Sequence, residues 1–397
     1  MKTYLVGGAV RDELLGRPVH ERDWVVTGAT TEEMLALGYQ QVGRDFPVFI
    51  HPKSKEEYAL ARQERINSAI NSKNVTLEED LSRRDLTINA IAKDTEGKLI
   101  APHGGLHDLE LLLLRHVDST SFKEDPIRLL RVARFAARYH HLGFSIATET
   151  LELMQSMVNN GEIHTLQAER VWKETSRALD EETPSIFIRV LKQCGALKVI
   201  FPEIDALYGV PQKATFHPEI DTGKHLELAL DRGHDLGASN ACMYAILLHD
   251  LGKGVTPKEM LPSHRGHEET GIPYVREVNK RLKVPTKHAQ LAELVCRWHF
   301  HCHRALELRH KTIIKLFDAL DIWRQPDRLE NFLTACQADS QGRAGMRDIA
   351  YPQVDYLRRC AERAKNIDIK ALMAEGYEGA VLGEAIRRAR IAQLASL

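Results

Sequence analysis

The strongest constraint on this chain lies in its opening stretch. There an apolar run Tyr4-Leu5-Val6, a double glycine Gly7-Gly8 and a basic helix start Ala9-Val10-Arg11-Asp12 precede Glu21-Arg22-Asp23-Trp24. A strand that turns at once into a helix needs glycine, which reaches positive φ without steric cost and lets backbone amides approach a ligand closely. The opened helix start attracts anions, and Arg11 adds a full charge. Residues i and i+2 of a strand share a face, so Glu21 and Asp23 are placed to share a divalent ion. This unit predicts a site for a triphosphate and a metal.

Bulk properties narrow the rest. A length of 397 residues is more than one ordinary core accommodates and predicts two to four domains. With 43% hydrophobic and 27% charged residues the chain has ample core material. No apolar run approaches the roughly 18 residues of a membrane span. Met1-Lys2-Thr3 leads into a short strand rather than a signal-peptide h-region, so a cytoplasmic protein is expected. The six cysteines form no Cys-x-x-Cys pair, which fits reduced thiols better than a disulfide or zinc framework. A formal net charge of -1 excludes a generic polyanion binder, so any nucleic-acid contact must be local. Candidate patches are Arg83-Arg84, the series from Arg128 to Arg138, and Arg387, Arg388 and Arg390; the last set reads equally well as a solvated helix face.

Residues 1 to about 140 read as mixed α/β, with short strands at Tyr4-Leu5-Val6, Trp24-Val25-Val26, Val48-Phe49-Ile50 and Tyr58-Ala59-Leu60 and a helix over Thr31 to Leu37. From about 125 onward the pattern is helical. The clearest interruption is Val210 to Gly223, where Pro211, Pro218 and Gly223 precede His225.

Two further constellations bear on phosphate handling. Arg83-Arg84-Asp85-Leu86-Thr87-Ile88-Asn89-Ala90 offers two guanidinium forks beside an aspartate; it reads as a phosphate clamp or as a surface ion-pair cluster. In Glu124 to Arg138, Pro126 suits the first position of a helix and Asp125 its N-cap. At about 100° per residue, Arg128, Arg131, Arg134 and Arg138 share one side, and Leu129, Leu130, Val132, Ala133, Ala136 and Ala137 the other. Four arginines without an interleaved acid repel one another unless something anionic lies alongside.

Taken together, Gly7-Gly8-Ala9-Val10-Arg11-Asp12, the run from Arg83 to Ala90 and the run from Glu124 to Phe135 resemble the ordered motifs of the class II tRNA nucleotidyltransferases, the bacterial CCA-adding enzymes. The similarity continues through Glu169-Arg170-Val171-Trp172-Lys173-Glu174 and Phe201-Pro202-Glu203-Ile204-Asp205 into a histidine-rich half. It implies an α+β head of the DNA polymerase β-like nucleotidyltransferase type, followed by an all-α neck, a body with an HD domain, and a tail. The expected divisions are a head over 1–140, a neck over 141–210, an HD phosphohydrolase domain over 211–344 and a tail over 345–397. Carried over by position, Gly8 and Arg11 contact the triphosphate, Glu21 and Asp23 bind Mg²⁺ and are catalytic, and Arg84, Arg131 and Arg134 contact the incoming nucleotide. Asp125 and Arg128 resemble the family's protein template for ATP and CTP. Cytosine and adenine both present an amino donor beside a ring-nitrogen acceptor, which a carboxylate plus a guanidinium satisfies. Uracil and guanine present the reverse, at about 1 to 3 kcal/mol per unmade buried bond.

In two places the chain departs from that pattern. The family's metal pair is Asp-x-Asp, whereas here it is Glu21-x-Asp23; one methylene displaces a carboxylate by roughly 1.5 Å, and a misplacement of about 1 Å can cost a hundredfold in rate. Glu57, on a later strand, is a further acid for the site or simply a partner for Arg62. Between Ile66 and Asn74 the chain has no glycine and no aromatic residue, where the family's CCA-adding members carry a longer loop that helps the switch from CTP to ATP.

His225, His249-Asp250 and Asp339 follow the order of an HD-type phosphohydrolase, with His264, His267 and His299 as further ligand candidates and His301 and His303 expected at the surface. Imidazoles and carboxylates on neighbouring helices hold a divalent ion and the water it activates. For this half the resemblance implies 2',3'-cyclic phosphodiesterase, 2'-nucleotidase and phosphatase activities with a divalent metal, often Ni²⁺, and leaves room for an oligomer through the HD domain. The expected function is addition of C, C and A to the tRNA acceptor end together with this hydrolysis. Two alternatives stay open: an enzyme that adds only CC, and a tRNA-binding HD phosphohydrolase with a weakened head.

Overall fold

The computed structural model describes residues 1–42, 48–62 and 72–395, which fall into two compact units, Met1–Leu166 and Gln167–Leu397. A mixed sheet underlies the first. Its strands are β1 (Lys2–Val6), β2 (Asp23–Thr27), β3 (Gln40–Val42), β4 (Val48–Ile50), β5 (Glu57–Leu60), β6 (Ala92–Lys93) and β7 (Leu99–Ile100), in the order β3-β4-β5-β2-β1-β6-β7. The strands expected from apolar runs are all present. The remaining three lack such a run: β3 is exposed along its length, and β6 and β7 are two residues each.

Val25 and Val26 show how the sheet builds its core, because successive strand residues face opposite sides. Val25 packs with Val6, Leu77 and Leu81, and Val26 with Met34, Phe49 and Leu60. A short helix lies on each side, Thr31–Ala36 and Leu77–Ser82. Each starts with a capping box, Thr30 with Glu33 and Thr76 with Glu79, which satisfies two otherwise orphaned N–H groups. β1 runs directly into helix α1 (Gly8–Leu14), and helix α2 spans Ile127–Tyr139.

The second unit is helical throughout the described residues. Helices α3 (Thr222–Asp235), α4 (Asn240–Leu248), α5 (Thr286–His303) and α6 (Asp327–Gln341) form its centre, with α4 against α3 and α5, and α6 against α3 and α5. Ala241 to Leu248 are all buried: a helix apolar on every side belongs in the middle of a bundle. Near the C-terminus, helix Gly379–Leu394 carries the last arginine set. Arg387 Nε donates to Asp318 Oδ2 at 2.9 Å, Arg390 lies 3.5 Å over the Trp323 ring, and Arg388 pairs with Glu384 at 3.6 Å. These contacts favour the helix-face reading over an RNA patch. The described cysteines are free and buried.

The basic face expected of α2 is not a solvated one. Leu129, Leu130, Val132, Ala133, Ala136 and Ala137 are buried as expected, but so are Arg128 and Arg134, at 8% and 6% exposure. The acid missing from α2 comes from elsewhere in the chain: Arg131 Nε donates to Asp85 Oδ2 at 2.7 Å, and Arg138 Nη2 lies 3.5 Å from Asp12 Oδ2. Arg134 lies 4.5 Å over the Phe135 ring, a further electrostatic attraction. The helix also starts one residue later than expected. Pro126 is the capping residue and Ile127 the first helical one, while Arg128 N–H donates to Asp125 O at 2.9 Å. Asp125 is therefore a buried carboxylate ahead of the helix rather than its side-chain cap.

A buried polar chain joins the three motifs. Asp85 Oδ1 accepts from Asn89 Nδ2 at 2.8 Å and from Leu86 N–H at 2.9 Å, while Asp85 Oδ2 takes Arg131. Asn89 Oδ1 in turn accepts from Arg11 Nη1, Arg11 Nε donates to Asp12 Oδ1 at 2.9 Å, and Tyr139 OH donates to the same oxygen at 2.9 Å. Burial alone would push the Asp85 carboxyl up, but Arg131 and the bonds from Asn89 and Leu86 outweigh it and hold the group well below the usual carboxylate range. The depressed folded-state value means that Asp85 stabilises the fold above its unfolded pKa of about 3.9, and that this contribution disappears as pH falls through the folded value. Asp85→Ala strands Asn89 and Leu86 donors and costs roughly 2 to 3 kcal/mol; water replaces part of the bond to the half-exposed Arg131. Faster hydrogen exchange over residues 84–90 in the variant at pH 7, with a smaller difference from wild type below pH 3, is the expected outcome.

Candidate active sites in the head and the histidine-rich half

Three strands bring the head candidates to one end of the sheet. Val6 lies opposite Asp23 across the antiparallel β1–β2 pair, and Asp23 lies beside Glu57 across the parallel β2–β5 pair. Gly7 follows β1 directly, with φ 68 and its N–H bonded to Ile91 O at 3.0 Å. A Cβ at Gly7 would stand 2.7 Å from Arg84 Nη1. Glycine is thus required twice, by the backbone and by the guanidinium packed on it.

Glu21 precedes β2, whose first residue is Asp23, so the two are not i and i+2 of one strand. Their side chains still sense each other. The Asp23 carboxyl is raised, first by desolvation and then by the Glu21 charge, against the opposing pull of Arg84. The Asp23 carboxyl, with the Glu21 charge nearby and Glu57 in register beside it, fits a divalent cation at the end of the sheet. Arg84 reaches Asn89 O and Asp80 Oδ2 only at 3.4 Å each. Arg11 and Arg131 are held in the polar chain described above, and Arg128 donates to Ser121 O at 2.8 Å and to Arg83 O. Gly8 opens α1 beside Arg11: a Cβ there would lie 3.4 Å from Arg11 Nη2. Arg83 pairs with Glu124 at 2.9 Å. Most of the 66–74 segment lies outside the described residues; Ser72–Asn74 form a 3-10 turn.

The histidine-rich half brings together the four main HD candidates. His225 stands in the first turn of α3, His249 and Asp250 follow α4, and Asp339 lies near the end of α6; all four are buried. His225 Nε2 is 3.0 Å from Asp339 Oδ1, His249 Nε2 is 3.8 Å from the same oxygen, and His249 Nε2 is 3.2 Å from Asp250 Oδ2. Asp250 Oδ2 also lies 2.6 Å from Lys253 Nζ, which donates to Gln212 Oε1 at 3.0 Å. Gly252 permits the tight turn after the pair: a Cβ there would meet His267 O at 2.0 Å.

The protons decide whether this set fits a divalent ion. His249 Nδ1 donates to Ile246 O at 2.7 Å, and His225 Nδ1 lies 3.0 Å from Glu219 Oε1. The Ile246 carbonyl places the proton of His249 on Nδ1, whereas His225 has a carboxylate oxygen 3.0 Å from each of its ring nitrogens. Burial alone would push His249 down, but Asp250 and Asp339 raise it to about 9. The bare carboxylates recruit a proton where a cation belongs, so the donors suit a divalent ion bound by imidazole and carboxylate.

Several participants escape a sequence reading. His303, expected at the surface, places Nε2 2.6 Å from Asp339 Oδ2 and Nδ1 2.7 Å from the Tyr351 hydroxyl. Its position one turn after His299 on α5 was the available signal. His217 and Glu219, in the interruption before α3, form a group with His225. His264 instead bonds Thr256 and Pro211 O, and His301 lies against the Trp298 ring.

Comparison with known proteins now decides the family. Residues 3–115 match the Poly A polymerase head domain, 143–208 the family described as probable RNA and SrmB-binding site of polymerase A, and 223–323 the HD domain. The multifunctional CCA protein of Teredinibacter turnerae is 54% identical over 401 residues, covering 99% of this chain and 97% of its own. The chain belongs to the multifunctional CCA protein family. It is a nucleotidyltransferase with a polymerase β-like head and an HD domain. The family's architecture also appears among solved structures. A CCA-adding enzyme with ATP shares the fold at TM-score 0.68 and 20% identity, over 99% of this chain and 86% of that one. The same comparison with a CCA-adding enzyme bound to CTP gives TM-score 0.66 at 20% identity, over 99% and 87%. The Thermotoga maritima CCA-adding enzyme complexed with tRNA gives 0.65 at 19%, again over 99% and 87%. Among the described residues no helix is long and apolar enough to cross a membrane.

Glu219 faces both His217 and His225. Despite burial, which acts to raise it, bonds from these two imidazoles hold it well below the usual carboxylate range. Carboxylates that orient a ligand histidine typically account for about 10- to 100-fold in metal affinity. Glu219→Ala should weaken Co²⁺ binding to the HD cluster by that factor in a competition titration, and Glu219→Gln, which keeps an acceptor oxygen, should recover part of it.

Proposed function

We propose that this enzyme adds C, C and A to the 3' end of tRNA from CTP and ATP, and that its HD half hydrolyses phosphate esters as a 2',3'-cyclic phosphodiesterase, 2'-nucleotidase and phosphatase. The observation that carries the reading is identity of 54% to a multifunctional CCA protein across 99% of this chain. The alignment of Gly7, Asp23 and Glu57 at one sheet end, under Arg84, supports it. We assign a head to 1–140, a neck to 141–210, the HD domain to 211–344 and a tail to 345–397. A cytoplasmic location is part of the same proposal, since tRNA ends and free nucleotides are its substrates.

In the head, Glu21 and Asp23 would hold Mg²⁺. When bound, that ion neutralises phosphate charge and favours ionisation of the attacking tRNA hydroxyl. Gly8 lets the backbone approach the triphosphate, while Arg11, Arg84, Arg131 and Arg134 supply positive charge around it. Arg128, whose guanidinium donates to the backbone carbonyls of Ser121 and Arg83, and the buried Asp125 would read the base. A fixed donor beside a fixed acceptor suits cytosine and adenine and opposes uracil and guanine. In the HD half, His225, His249, Asp250 and Asp339 would hold a divalent ion, Ni²⁺ among the candidates, which supplies an activated water when bound. The burial of these donors would shield that water from bulk solvent.

The test uses end-labelled tRNA lacking its CCA, given CTP alone, ATP alone or both, alongside hydrolysis of a 2',3'-cyclic nucleotide. Wild type should add C with CTP, and A only when both are present. Asp23→Ala should lose addition at least a hundredfold while retaining hydrolysis; a folded His249→Ala protein should show the reverse. An Asp23→Ala variant that extends tRNA at the wild-type rate overturns the head assignment. Arrest after CC with both nucleotides would favour the CC-adding alternative that the composition of residues 66–74 raises.

Base choice gives a second test. Asp125→Ala should leave CTP binding largely intact and narrow the preference for CTP over UTP by at least tenfold. Unaltered selectivity would return Asp125 to a structural role.

A further inference from the structure

Helix α6 delivers the buried Asp339 to the histidine-rich centre and ends shortly after it, at Gln341. The chain leaving the helix is pinned on both sides. A Cβ at Gly342 would stand 2.5 Å from Ala229 Cα on α3, the helix that carries His225, and Ala344 N–H donates to Glu219 Oε2 at 3.1 Å. Arg343 lies between these two contacts, so backbone packing fixes its place beside the Glu219, His217 and His225 group.

The side chain itself is unsatisfied. Arg343 is half-buried, its Nε is enclosed without a hydrogen-bond partner, and among the described residues its guanidinium makes no ion pair. Neighbouring cations do find acids: Arg347 Nη2 lies 2.5 Å and Arg232 Nη1 3.9 Å from Asp235 Oδ2, and Lys253 Nζ lies 2.6 Å from Asp250 Oδ2. A half-buried guanidinium without an acid is unfavourable until an anion joins it. Its charge is also felt inside the cluster. Burial first, and then Lys253, His225 and Arg343, push the His217 imidazole down to about 4 against the bond to Glu219, and the His217 ring stands 4.7 Å from that of His225. The rim of the cluster on the His217 side therefore holds a cation with both terminal nitrogens uncommitted.

We propose that Arg343 binds the substrate phosphate of the HD half through its two terminal nitrogens, and that this contact favours phosphomonoesters over cyclic diesters. The inference rests on the phosphohydrolase reading above and adds the residue that ranks its substrates. A guanidinium fork donates two parallel N–H bonds to two oxygens on one phosphorus. A 2'-phosphomonoester offers three non-bridging oxygens and a double charge, whereas a 2',3'-cyclic diester offers two oxygens and a single charge. With one oxygen taken by the HD centre, only the monoester keeps two for the fork. Lysine supplies charge without the fork and so cannot replace it.

Hydrolysis of adenosine 2'-monophosphate and of adenosine 2',3'-cyclic phosphate by the full-length protein, loaded with one divalent ion throughout, tests this. Arg343→Ala should lower kcat/KM for the monoester by about thirtyfold or more and for the cyclic diester by about fivefold or less. Metal content by mass spectrometry and addition of C to tRNA should stay at wild-type levels, which reports a folded protein with an intact HD cluster. Arg343→Lys should leave the monoester at least about tenfold slow while the cyclic diester returns close to wild type; this variant carries the test if the alanine protein does not fold. Equal losses on both substrates, or none on either, in a protein that holds its metal would overturn the proposal and leave the HD reading intact. A wild-type protein that hydrolyses neither ester would overturn both.

Discussion

A buried guanidinium organises the first unit. Arg11 is almost wholly enclosed, and a charge removed from water is tolerated only when paired and hydrogen-bonded. Its partners come from different parts of the chain: Asp12 beside it, Asn89 from the second motif, and the Phe135 and Tyr139 rings, whose centroids lie 5.3 and 5.2 Å away, from the third. Asn89 passes the connection to Asp85 and so to Arg131. Loss of any link strands a buried polar group. The first turn of α1, the Arg83–Ala90 segment and helix α2 are consequently held in one arrangement, and Gly7, packed under Arg84 beside Asp23, is held with them.

The second unit solves a similar problem with the charges reversed. Asp250 and Asp339 are buried acids, and their surroundings consist of imidazoles and one lysine. Three of the rings are fixed by an outer nitrogen on a backbone carbonyl: His249 by Ile246 O, His267 by His264 O and His299 by Val295 and Cys296 carbonyls. Backbone carbonyls, of helices for His249 and His299 and of the preceding loop for His267, thereby dictate which ring nitrogen faces inward. Gly252 adds the close approach that brings His267 to the pair, since any side chain there would collide with backbone.

Local pattern made much of this legible. The apolar runs gave β1, β2, β4 and β5, and the His249-Asp250 pair with its apolar lead-in marked the bundle centre, because burial leaves a periodic trace in sequence. Short strands such as β6 leave none. Long-range partners were hidden for a different reason: nothing in the spacing of Arg131 and Asp85, or of His303 and Asp339, says that folding will bring them together. The basic stripe of α2 was read correctly as needing an anion. Asp85 and Asp12 from the same chain supply part of it, and only the tertiary structure reveals that. Asp125 illustrates the limit of capping rules, since a proline shifted the helix start by one residue and left a carboxylate buried outside it.

Charge placement also explains how a chain of net charge -1 can be built to meet an anionic substrate. A protein that relied on a broad positive field would show a steep salt dependence, roughly 0.9 log units per phosphate neutralised on duplex. Here several guanidiniums are committed to internal acids, and the C-terminal set is held by Asp318, Glu384 and the Trp323 ring. What remains is geometry rather than field. Arg84, with its long contacts to Asn89 and Asp80 and its place over Gly7, is the cation most easily redirected toward a phosphate. Strength at close range would then come from a few guanidinium forks, since charge-assisted hydrogen bonds are roughly twice as strong as neutral ones. On the proposed function, such a site would favour recognition of one nucleotide over general attraction to RNA.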